Sequence, residues 1–156
     1  MSNFNPLSNK LSLKIPKWVL VTLVLISFLG LFDASYLTVS HYQGFTVPCT
    51  LTNGCETVLT SRYAVVFGVP LALLGVGYYA VLLGLLIFFI LSNNTPIIRG
   101  IATISWLGFA ISLVLIGIQV FVLHAICLYC MASALFSTII FFLLQYTLQL
   151  KSTNIA

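Results

Sequence analysis

The sequence predicts an all-α integral membrane protein, a bundle of four transmembrane helices with an extracytoplasmic loop that carries a short helix. Of 156 residues, 61% are hydrophobic and only 5% are charged, with a mean hydropathy of +1.18, against roughly 25% charged residues in soluble domains. The charged side chains, Lys10, Lys14, Lys17, Asp33, Glu56, Arg62, Arg99 and Lys151, leave gaps long enough to cross a hydrocarbon core of about 30 Å. Turn-forming and polar clusters then divide the apolar stretches at membrane-sized intervals. A net charge of +4 does not indicate a nucleic-acid partner, because the cations are scattered beside apolar runs and form no patch.

Residues 1–17 form a polar tail, and nothing in them resembles a cleaved signal: the basic residues precede a span too long for a signal core, and no small-residue cleavage site follows. The first span runs from Trp18 to Val39, broken only by Asp33. From His41 to Val69 the chain has loop character, with Pro48, the turn pair Asn53-Gly54, and a short helical segment over Glu56 to Ala64. The second span covers Pro70 to Leu91, with Pro70 suited to a first helical turn and Ser92 to Pro96 closing the helix. Small residues recur along it as Gly68, Ala72, Gly75 and as Gly77, Ala80, Gly84, the kind of stripe that lets membrane helices approach closely.

Gly100 to Leu150 carries no formal charge and would extend about 75 Å as a single helix, so it must fold back once. The polar break at His124 places span three over Gly100 to Val122 and span four over Ala125 to Leu148. One membrane domain, 18–148, is thus expected between two cytoplasmic tails, 1–17 and 149–156. Lys10, Lys14, Lys17, Arg99 and Lys151 fall on one face against Arg62 alone on the other, which places the termini in the cytoplasm by the positive-inside bias.

That topology collects all the cysteines on the outer face, Cys49 and Cys55 in the long loop and Cys127 and Cys130 at the start of span four. The outer face is also the compartment in which disulfides persist. Cys127-Leu-Tyr-Cys130 is a C-x-x-C at a helix N-terminus, where unpaired amides and the helix dipole favour a thiolate. Ala134 and Ser137 continue the face of Cys130 with small side chains, leaving room for a flat ring. Cys49 and Cys55 flank a turn, so a mobile loop disulfide can accept an external thiolate and exchange inward with the C-x-x-C. The alternatives are a fixed loop staple and buried, inert cysteines. A metal-binding or transport protein, with His41 and His124 near the thiols, is the rival from another class, although C-x5-C with a distant C-x-x-C is no usual zinc spacing. His124 can stabilise the Cys127 thiolate or simply be hydrated. Asp33 is expected to hydrogen-bond to neighbours such as Ser35 and Tyr36, with a proton relay as the other reading. Glu56 is either a proton acceptor or a helix N-terminal charge.

Gly30-Leu-Phe-Asp33-Ala-Ser-Tyr36-Leu-Thr, Pro48-Cys49, Cys55, Ser61-Arg62-Tyr63, Gly68-Val-Pro70-Leu-Ala-Leu-Leu-Gly75 and Cys127-Leu-Tyr-Cys130 together resemble the vitamin K epoxide reductase family in its bacterial form, from about Lys17 to Phe142. DsbB-like quinone reductases share the four spans and two outer pairs, but carry the C-x-x-C in the first outer loop. The resemblance implies that Cys130 reacts with a quinone, that Cys127 is its disulfide partner, that Cys55 links transiently to Cys127, and that Cys49 exchanges with an external protein. It also implies Ser61 near a quinone carbonyl. Vertebrate members carry a tyrosine where this chain has Ala134, and their loop cysteines lie further apart, so a plain quinone, ubiquinone or menaquinone, is the expected acceptor in place of an epoxide. With no fused thioredoxin-like domain before Ala156, a separate DsbA-like or thioredoxin-like protein in the periplasm of a bacterial inner membrane is the expected dithiol donor.

Overall fold

The computed structural model describes residues 15–44, 54–92 and 95–153. Its helices are α1 (Lys17–Gln43), the short α2 (Gly54–Leu59), α3 (Leu71–Ser92), α4 (Thr95–Gly117) and α5 (Leu128–Thr153). A 3-10 turn, Arg62–Ala64, and an antiparallel ribbon of β1 (Val65–Val66) and β2 (Val69–Pro70) lie between α2 and α3. Four of the helices are long and apolar enough to cross a membrane. The four-span bundle that the composition requires is therefore present.

The boundaries shift for local reasons. The first helix continues past Val39 to Gln43 and ends at Gly44, whose left-handed φ of 67° lets its N–H reach the Ser40 carbonyl. Pro70 does not open α3. It closes the ribbon, whose two-residue turn puts both Phe67 (φ 52°) and Gly68 (φ 81°) in the left-handed region, as a tight hairpin of this twist requires. Pro96 lies in the first turn of α4, where a missing N–H does no harm, so the helix starts before Arg99 and not after it. The predicted helix over Glu56 to Ala64 is split into α2 and the 3-10 turn.

The helices run alternately up and down. Residues late in α1 meet residues early in α3: the Ala34 Cβ stands 3.4 Å from the Cβ position of Gly75, and the Tyr79 ring occupies the space that a side chain at Gly30 would need. Tyr78 fills the corresponding space at Gly108 of α4. Gly30, Gly75 and Gly108 are thus the close approaches of the bundle. The Gly77, Ala80, Gly84 stripe is not one, because all three are exposed and nothing described lies against the two glycines. At the end where α1 begins, Val19, Leu23, Leu82, Leu86, Ile98, Ile101, Ile140 and Leu144 form a tightly buried core.

Several serine and threonine hydroxyls within the spans bond to their own helices, which keeps them satisfied where no water is present. Thr38 Oγ1 donates to the Ala34 carbonyl (2.7 Å) and Thr138 Oγ1 to that of Ala134 (2.8 Å). Ser35 does likewise: its hydroxyl donates to Leu31 (2.7 Å) and is not the expected partner of Asp33. Among the described residues, the buried Oδ2 of Asp33 has no hydrogen-bond partner.

Candidate active site

The site begins where α4 loses its regular winding. At Ile118–Val122 the ladder widens to a π turn, with the Leu123 N–H donating to the Ile118 carbonyl (3.0 Å) and the Ala125 N–H to that of Gln119 (3.1 Å). His124 follows with a φ of 47°, a conformation that histidine tolerates better than a branched residue would, and its side chain is exposed. The reversal brings Cys127 to the mouth of α5. Its own N–H donates to Oε1 of Gln119 (2.9 Å), and its carbonyl accepts the Met131 N–H (3.0 Å), the first bond of the helix.

Cys127 is wholly buried and Cys130 partly so, and both are free thiols. The Cys130 N–H points at Cys127 Sγ (3.4 Å), so the sulfur occupies the place that a capping oxygen takes at ordinary helix starts. Donation from the Cys130 thiol is the largest influence on Cys127 and pulls its pKa down. Burial opposes this, and the Cys130 and Tyr129 amides assist it. The sign follows directly: a lowered pKa means more thiolate at a given pH, so the pH midpoint of Cys127 alkylation lies below that of a free cysteine. Iodoacetamide kinetics on a variant with the other cysteines replaced by alanine should show a midpoint moved upward, because Cys130→Ala removes the thiol donor; an unchanged midpoint would rule out this account.

Cys55, on α2, is 1% exposed and packs in one apolar cluster with Val58 and Cys127, against which Cys130 and Tyr129 also rest. It is disulfide-bonded. Gly54 makes this proximity possible: a Cβ there would stand 2.7 Å from the backbone nitrogen and oxygen of Ile126. Cys49 lies outside the described residues. Tyr36 of α1 rests on Tyr129 of the C-x-x-C, ring centres 5.5 Å apart.

Beside Cys130 the bundle forms a partly open apolar cavity of about 220 Å³, just under the usual range of ~300–1,000 Å³ for small-molecule pockets. Cys130, Ser133, Ala134 and Ser137 of α5 form one wall, and Ser61 lies on another. The Ser61 hydroxyl donates to the Val58 carbonyl (2.7 Å). Tyr78, which sequence reasoning missed, places its hydroxyl 3.2 Å from Ser137 Oγ in the same cavity. Tyr79 Oη donates to the Ser133 carbonyl (2.7 Å). His41 also lines the cavity, whereas Glu56 is exposed at the surface. Among the described residues, no group of three His, Cys, Asp or Glu side chains is placed to hold a metal ion.

A four-helix membrane bundle with a reduced C-x-x-C at a helix start, opening onto an apolar cavity, defines a class of membrane thiol protein. A model of the Vitamin K epoxide reductase family matches residues 21–144, and the chain belongs to that family. Among curated proteins it is similar to thiol-disulfide oxidoreductase LTO1 of Arabidopsis thaliana, 36% identical over 121 residues, which cover 71% of this chain and 32% of the relative. The chain thus spans about a third of that relative's length.

Proposed function

We propose that this protein is a membrane thiol–quinone oxidoreductase that reoxidises a DsbA-like, thioredoxin-fold partner and so supports disulfide formation in secreted proteins. The observation that carries the reading is the Cys127/Cys130 dithiol at the edge of an apolar cavity, with Cys55 packed against it on the other side. Electrons pass from the partner's dithiol to the Cys49/Cys55 disulfide, then by exchange between Cys55 and Cys127 to the C-x-x-C. The reduced Cys127/Cys130 pair closes its own disulfide, and two electrons and two protons reduce a quinone, ubiquinone or menaquinone, to the hydroquinone. Ser61, Ala134 and Ser137 bound the ring site. The excess of basic residues at the termini supports a cytoplasmic position for them and a periplasmic one for the cysteines, in a bacterial inner membrane.

The experiment is turnover in reconstituted membranes, with a reduced thioredoxin-fold protein as donor and ubiquinone-1 as acceptor. Quinone reduction and donor oxidation should appear together in one-to-one ratio. Donor oxidation that proceeds without any quinone consumption would remove the proposal.

A further inference from the structure

Gln119 is one of the few polar side chains in the third span, and it is 3% exposed. Both of its acceptor groups are occupied: Oε1 by the Cys127 N–H at 2.9 Å, and the main-chain carbonyl by the Ala125 N–H at 3.1 Å. The first of these fixes the orientation of the carboxamide, because reversing it would set an NH2 group against a backbone N–H. The amide nitrogen, with its two donors, therefore points away from Cys127. Gln119 lines the same cavity as Cys130. With its oxygen committed to the Cys127 N–H, the carboxamide has only N–H donors left to offer a molecule in that cavity.

Resting on the proposed quinone reduction, we infer that Gln119 is a substrate-binding residue: its amide nitrogen donates to a carbonyl oxygen of the quinone while its oxygen holds the Cys127 N–H. One planar group then joins the acceptor ring to the start of the C-x-x-C helix. As electrons leave the dithiol, negative charge grows on the quinone oxygens, and a donor already aimed at one of them stabilises that charge without rearrangement. The redox balance is unaffected, because two S–H bonds give way to one S–S bond and two hydroquinone O–H bonds, while Gln119 keeps its protons. The π turn serves this arrangement, since the extra residue in the turn is part of the geometry that presents Gln119 to both Cys127 and the cavity.

The test uses the full chain in lipid nanodiscs with two probes of similar shape, menadione and 2-methylnaphthalene, which lacks carbonyl groups. Gln119→Leu should weaken menadione about tenfold, the worth of one buried hydrogen bond, and leave 2-methylnaphthalene unchanged. In Gln119→Met, chosen for its similar length, the infrared carbonyl bands of bound menadione should lose their lowest-frequency component, the one lowered by hydrogen bonding in the wild type. Equal weakening of both probes would reduce Gln119 to a scaffold residue, and unchanged menadione affinity or unchanged carbonyl bands would overturn the assignment. Failure of the wild type to bind menadione at all would overturn both this inference and the quinone reading, whereas a failure confined to the variants leaves the latter standing.

Discussion

Replacing Cys130 by alanine is expected to abolish quinone reduction by a reduced partner protein, with a fall of roughly 10³-fold or more, the scale seen when a nucleophile that acts as part of a unit is removed. Among the described cysteines, Cys130 is the one that lines the cavity, and Cys127 has no exposed surface. The loss should not stop at silence. With Cys130 gone, Cys127 still attacks the loop disulfide at Cys55, with which it shares a buried cluster, and expels the Cys49 thiolate, while no Cys130 remains to draw Cys127 back into a disulfide of its own. A Cys55–Cys127 disulfide should therefore accumulate, visible by mass spectrometry of thiol-trapped protein.

Cys127→Ala should behave differently. The cavity-lining thiol remains, but its disulfide partner is missing, so turnover is lost without a trapped link between loop and helix. If Cys130→Ala retained full activity, or trapped no such link, the division of labour between the two sulfurs would be wrong.

The gross architecture was legible because lipid imposes a coarse rule: any chain with so few charges must cross in pieces of about 20 residues, and polar clusters must mark the returns. The C-x-x-C was equally legible, since a helix start beside two cysteines is a local property. Gln119 and Tyr78 were not. A single glutamine in an apolar run carries no local sign that a π turn will aim it at a residue eight positions later, and Tyr78 is polar only at its tip. The glycine stripes misled in part for a related reason. Sequence spacing reports which small residues share a face, but only the bundle decides that Gly30 and Gly108 receive tyrosine rings while Gly77 and Gly84 face outward. Asp33 illustrates the limit from the other side: the expected partner Ser35 satisfies its hydroxyl within its own helix, a choice open to any serine in a membrane span.

Gly54→Val should separate the two halves of the electron path. The helix that carries Cys55 lies so close to the Ile126 backbone that even a Cβ would stand 2.7 Å from Ile126 N and O, and main chain held by the turn at Gln119 cannot yield as a flexible side chain would. The helix must therefore back away, taking Cys55 with it from Cys127. A displacement of about 1 Å in the alignment of reacting groups lowers rates about 10²-fold, and thiolate attack on a disulfide is as sensitive to access as other displacements. Cys130 and most of the cavity lie on other elements, α1, α3, α4 and α5, and α2 gives only Val58 and Leu59 to its wall, so quinone reduction driven by a small dithiol such as dithiothreitol, which reduces the C-x-x-C directly, should lose far less rate than that driven by the partner protein. The partner protein should drive it about a hundredfold more slowly. Equal losses with both donors would mean that Gly54 holds the whole site together, and no loss with either would mean that the contact between α2 and Ile126 is not the route by which electrons reach the membrane helices.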